Sequence, residues 1–225
     1  LLELIQSDIG ATLLTFELDL RTETGTASTL ILANDEDGDL AIYRYDAAGN
    51  RSILPLVEFA RLQLVQNIPN IEVDIYLNDE LFANNMAYRT ATSFLQVRAN
   101  QEISLEIKGA GSTPAEPAIL TFNDLSFAAF SSTIMVLGGD GTATSPVDLF
   151  TLPEVPESAS GNDQISLGFF HGTTDVQRLS FLGEQFELLA PDLGFGDFGQ
   201  HQDFAVGELV LATRAEETGR VLGFF

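Results

Sequence analysis

The chain has 225 residues, 45% of them hydrophobic, which is enough for more than one core of ordinary domain size. Its 33 acidic residues outweigh 10 basic ones for a formal net charge of −23, which argues against nucleic acid and anionic lipid as partners, since both are held by clustered Lys and Arg. The absence of cysteine excludes disulfides and thiolate metal sites, and no run of 18 apolar residues offers a membrane-spanning helix.

Lys108 is the only lysine. Acid excess with so little lysine fits a chain adapted to salt or to an extracellular setting, and equally an ordinary acidic, soluble surface. The chain opens on Leu1 rather than methionine, leaving two readings: a removed leader, or a piece of something longer.

In chain order, strand-like runs fall at 16–20, 29–33, 40–45, 61–66, 72–77, 93–97 and 102–108. Further runs fall at 119–122, 133–137, 148–152, 166–170 and 209–212. Gly, Asn, Asp and Pro clusters separate them, which is the spacing of a β-sandwich. In 72–77, Val73, Ile75 and Leu77 point one way and Glu72, Asp74 and Tyr76 the other, so one face is expected in the core and the other in solvent. Residues 83–91 could hold one helical turn. The Pro- and Ser-containing stretch 153–163 reads as an extended linker with little packing.

The pattern of 60–79 recurs at 165–184, an offset of 105 residues. Leu62 falls on Leu167, Leu64 on Phe169 and Leu77 on Leu182. Thr29 to Asp35 likewise falls on Ile134 to Asp140, and Leu13-Leu14-Thr15-Phe16 on Ile119-Leu120-Thr121-Phe122 after a one-residue slip. A fixed period of this kind marks tandem copies of one folding unit. The expected organisation is the later part of one repeat at 1–58, a complete repeat at 59–155, a linker at 156–163 and the opening part of a further repeat at 164–225. The fold class expected is all-β, as tandem immunoglobulin-like β-sandwiches.

The run Arg61-Leu-Gln-Leu-Val-Gln66, then Val73-Asp-Ile-Tyr-Leu-Asn78, then Met86-Ala-Tyr-Arg-Thr-Ala-Thr92 resembles the domain of unknown function 4397 family. That family's opening strand ends in His-Ala-Ser-Pro-Asp and is followed by a Val-Asp-Val-Tyr strand. Here the first copy has Gln66-Asn-Ile-Pro-Asn70 and keeps Val73-Asp74, whereas the other has His171-Gly-Thr-Thr-Asp175 and loses the Val-Asp pair. The resemblance implies a tandem, all-β protein of the secreted or cell-envelope class and supplies no activity.

Candidate chemistry is sparse. Asp35, Asp37 and Asp39 form the densest acidic turn, with hard oxygens suited to Ca²⁺, but without the bidentate Glu of an EF-hand loop; a solvated hairpin turn is the competing reading. Tyr43, Tyr45 and Tyr76 are candidates to stack on sugar rings, against the commoner use of such rings in cross-strand packing. His171 and His201, the only histidines, read as structural, and no Gly-x-Ser-x-Gly elbow accompanies them. Phe195, Phe198 and Phe204 read as loop anchors in a Gly-rich stretch.

Both ends are strand-like and apolar. Leu1, Leu2, Leu4 and Ile5, with Val221, Leu222, Phe224 and Phe225, are therefore expected to contact another subunit or a neighbouring repeat. The functional expectation is a non-enzymatic extracellular or cell-surface protein, structural or adhesive, with a filament subunit joined by strand complementation as one form. The alternative is a carbohydrate- or calcium-binding surface module. No cofactor is expected, calcium being the one candidate ion.

Overall fold

The computed structural model describes residues 1–6, 11–19, 21, 26–142 and 145–225. It is all-β, with no helix among the described residues. There is accordingly no helix long and apolar enough to cross a membrane, which leaves β-barrels unaddressed. The chain divides into two compact units, residues 1–59 and 60–225.

The first unit holds β1 (Leu2–Gln6) paired with β2 (Ala11–Phe16), and a three-stranded sheet of β3 (Ser28–Asn34), β4 (Leu40–Asp46) and β5 (Arg51–Ile53). A small core of Phe16, Ile42 and Leu54 joins them, with Leu2, Leu14 and Leu18 packed against it. The strand expected at 16–20 is displaced: β2 ends at Phe16, and Leu20 lies outside the described residues.

The second unit contains two sandwiches. The first comprises β6 (Phe59–Gln66), β7 (Val73–Leu77), β8 (Glu80–Met86), β9 (Thr90–Ala91), β10 (Leu95–Arg98), β11 (Ile103–Gly109), β12 (Leu120–Leu125), β13 (Ser132–Gly138) and β14 (Asp148–Leu152). One sheet runs β10-β6-β13-β14, with β9 also on β6, and the facing sheet runs β12-β11-β7-β8. Their inner faces meet in one core. Leu62, Leu64, Met135 and Leu137 from the first sheet pack with Val73, Ile75, Leu105 and Ile107 from the second. β13 lies parallel to β6, with Leu62 opposite Thr133 and Leu64 opposite Met135, while the other described pairings with registers in this unit are antiparallel.

The second sandwich comprises β15 (Gln164–Phe170), β16 (Arg178–Leu182), β17 (Leu188–Gly194), β18 (Phe198–Ala205), β19 (Ala212–Ala215) and β20 (Val221–Phe224). Its sheets run β18-β15 and β20-β19-β16-β17. Strand by strand this repeats the first sandwich: β15 stands where β6 does, β18 where β10 does, and β20-β19-β16-β17 follows the order β12-β11-β7-β8. The two sandwiches thus share an order of strand pairing at the spacing of the 105-residue offset.

Four local expectations need correction. Residues 83–91 form the end of β8 and the short β9, not a helical turn. The Gly-rich stretch around Phe198 and Phe204 is strand β18, not a loop. The strand expected at 209–212 begins at Ala212. Finally, the Pro-rich linker is docked. Val155 is buried and donates its N–H to the Ser132 carbonyl at 2.9 Å, Glu157 pairs with Arg61 at 2.6 Å, and the Ser160 N–H reaches Asp203 at 2.9 Å. Fixed φ and few competing donors let a Pro-rich segment lie flat along existing strands.

Candidate functional site: an unfinished sheet and the junction between copies

β7 shows how the first sandwich is closed. Its outward face was expected in solvent, yet Asp74 and Tyr76 are sealed. The Gly- and Pro-containing loop 109–117 folds across that face. The Asp74 carboxylate accepts from Ser112 N at 2.9 Å, Ser112 Oγ at 3.2 Å and Asn85 N at 2.7 Å. The Tyr76 hydroxyl donates to the Ser112 carbonyl at 2.7 Å. Buried Lys108 donates to the Pro114 carbonyl at 2.6 Å, lies 3.0 Å from Glu106 and sits over the Tyr76 ring at 4.8 Å. A charge can stay buried here because each is matched by partners. The Val-Asp-x-Tyr strand thus acts as a clasp for a loop, and Tyr76 offers no open ring to a sugar.

The other candidates are separated in space or engaged. Tyr43 is buried on β4 beneath the Arg51 guanidinium, 5.3 Å from its ring centroid, and Tyr45 is half-buried two residues along. Asp35 Oδ1 accepts the N–H groups of Asp37 at 3.0 Å and Asp39 at 2.9 Å, so this carboxylate closes its own turn. Among the described residues no three His, Asp or Glu side chains converge as a metal site. Leu1 and Ile5 of the first unit are exposed, with Leu2 and Leu4 half-buried and β1 paired only to β2. At the other end Leu222, Phe224 and Phe225 are exposed and Val221 is half-buried. β20 repeats β12, itself an edge strand, so the equivalence assigns it no further neighbour.

The two sandwiches meet where the ends of β6 and β15 come together. Asn67 Nδ2 donates to the Gly172 carbonyl at 3.1 Å, and these residues occupy the same repeat position, 105 apart. A Cβ at position 172 would lie 2.5 Å from Asn67 Nδ2 and 2.8 Å from the Phe170 ring, so a larger residue would push these side chains aside. A polar cleft of about 480 Å³ opens beside it, lined by Tyr88, Arg89, Asp140, Thr174 and Asp175 among others. Hydrogen bonds from Thr142, with Thr174 adding to them, hold the Asp140 carboxyl below the usual carboxylate range.

His171 occupies the position of Gln66. The Gln66 side chain knits the following loop, its Nε2 donating to the carbonyls of Ile68 at 3.1 Å and Ile71 at 2.9 Å. His171 is equally buried, but neither ring nitrogen completes a hydrogen bond. Burial pushes its pKa below the ordinary 6.5, although the nearby backbone of Val176 and the charge of Asp197 pull the other way. A histidine with a depressed folded pKa binds protons more weakly folded than unfolded, so stability is full above pH 6.5 and is lost as pH falls through the folded pKa. The melting temperature of the second sandwich should therefore drop as pH is lowered from 7 to 5, above the range where carboxylates titrate. His171→Gln should remove that drop; an unchanged pH profile in the variant would refute the assignment.

What remains conspicuous is the two-stranded sheet β15–β18. In the first sandwich β6 has β13 on its far side, then β14; in the second, no strand pairs with the far side of β15 among the described residues. The hydrophobic centre is correspondingly slight, four buried residues (Phe169, Leu189, Ala190 and Leu193) against fourteen in the first sandwich.

These features define a class, all-β proteins built of sandwich-like pairs of sheets. The family described as Domain of unknown function (DUF4397) matches residues 60–182, more than half of the chain, and the protein belongs to that family. The match spans the whole first sandwich and runs on through β15 and β16. No curated protein matches the chain.

Proposed function

We propose that this is a non-enzymatic extracellular structural protein whose copies join end to end by strand complementation, giving a cell-surface fibre or adhesive array. The observation that carries the reading is the unpaired flank of β15 in a chain whose first unit holds strands of the missing kind. Unpaired strand edges recruit partners, and a head-to-tail contact between unlike surfaces need not close on itself. The acidic surface fits the extracellular setting that the family resemblance implies.

Sedimentation velocity and electron microscopy of the full chain test it. Linear oligomers should appear as concentration rises. Subunits carrying −23 each repel one another, so the oligomers should lengthen between about 0.02 and 0.5 M salt as screening increases. A monodisperse monomer throughout this range would sink the proposal.

A further inference from the structure

The partner of β15 can be read to the residue. Resting on the end-to-end reading above, we infer that β3 of a second copy adds in parallel to β15, in the register that β13 adopts on β6.

The donor is identified by the repeat. β3 falls on β13 at the 105-residue offset, and it pairs antiparallel with β4 as β13 does with β14. The β3–β4 hairpin thus has the form of the β13–β14 hairpin, which has no counterpart beside β15 among the described residues. Apart from the two-residue β9, the other strands of the first sandwich have counterparts in the second, so one hairpin supplies the flank of β15 and β1–β2 is not needed for it.

Burial separates the two hairpins. Met135, Val136 and Leu137 on β13 are 2%, 3% and 0% exposed, whereas their counterparts Leu30, Ile31 and Leu32 on β3 are 39%, 46% and 47% exposed. Three consecutive apolar residues uncovered on a terminal strand of a sheet make a ready site for strand addition.

The acceptor is equally specific. The His171 N–H donates to the Asp197 carbonyl and Val206 N–H to that of Asp163, so odd-numbered residues of β15 bond toward the β18 side. The backbone groups of Ser166, Gly168 and Phe170 face the other way. Their counterparts Arg61, Gln63 and Val65 are the β6 residues that face β13, as the Arg61 N–H donating to the Ser131 carbonyl at 2.8 Å marks.

Shifting the β6–β13 register by 105 residues sets Ala27 opposite Ser166, Leu30 opposite Phe169 and Leu32 opposite His171. Leu30 and Leu32 then face inward beside Phe169, as Met135 and Leu137 do beside Leu64. On the outer face, Ser132 and Arg61 both reach the Glu157 carboxylate, so side chains at that pair of positions are neighbours.

The chain has no cysteine, so disulfide trapping reads directly. The double variant Ala27→Cys/Ser166→Cys, oxidised at a concentration where wild type self-associates, should give a ladder of linked multimers. Peptide mapping should join position 27 of one copy to position 166 of the next. Either single variant, or the out-of-register pair Ile31→Cys/Ser166→Cys, should give less than a tenth of that product. Leu30→Asp should abolish the ladder while leaving the monomer folded by circular dichroism, since Leu30 is already solvent-exposed there. Linear oligomers without the 27–166 link would overturn the strand assignment and leave the end-to-end reading standing. A 27–166 link confined to monomers, or monomers alone, would overturn both.

Discussion

Asp74→Ala should destabilise the first sandwich by about 3 kcal/mol, because it strips the acceptor from three donors, one of them the backbone N–H of a loop that covers the sheet. Hydrogen exchange should then quicken first at Ser112 and along β11, the strand beneath the loop. Lys108 would lose protection with it, since its Pro114 acceptor belongs to the same loop. Tyr76→Phe deletes only the bond to the Ser112 carbonyl and should cost about 1 kcal/mol. Equal costs for the two variants, or a loss under about 0.5 kcal/mol for Asp74→Ala, would show that the carboxylate is not the clasp described above.

Gly139→Ala should be comparably severe for a different reason. Gly139 has φ +112°, and a Cβ there would lie 2.2 Å from the Pro146 carbonyl oxygen and 2.8 Å from the Val147 Cα. Both are backbone atoms and cannot swing aside, so the β13–β14 turn must open, at about 2–4 kcal/mol. Gly141→Ala, where φ is +80° but the space is open, should cost only about 1 kcal/mol. Chemical denaturation of the pair decides it: indistinguishable midpoints would reject the steric account. In Gly139→Ala, exchange should also quicken across β14, the strand that the turn joins to β13.

Much of the architecture was legible because apolar alternation survives divergence. Leu62, Leu64 and Leu77 hold the core positions their spacing indicated, and β14 lies where Asp148 to Leu152 placed it. Strands whose apolar residues do not alternate were not legible. β8 contains Asn84 and Asn85, the latter at φ 49°, and β17 contains Pro191, which an edge strand tolerates because its outer N–H needs no partner. Tyr76 was misread for a tertiary reason. Alternation reports two faces of a strand, but not that a distant loop will cover the second, and only the Gly and Pro in 109–117 hinted at it. For the same reason, the unpaired flank of β15 could be inferred from the repeat only as a shortage of later strands; that β9, β13 and β14 have no counterparts among the described residues required the pairing order.

The parallel pairing of β6 with β13 also bears on the order in which the chain emerges during synthesis. β6 is made early in its copy and its neighbour nearly last, since Leu62 must wait for Thr133. In that interval the nascent β6 is accompanied by β3, an earlier-made strand of the same kind, and misassembly between copies is the characteristic hazard of tandem repeats. The two strands diverge at one end. Where β13 ends in Gly138 and Gly139 follows it, β3 ends in Ala33 and Asn34. A Cβ at the first position would crowd the Phe150 ring at 3.2 Å, and one at the second cannot be housed in the turn. The β13–β14 turn is therefore built on two glycines, whereas the β3–β4 turn is closed by the Asp35 carboxylate.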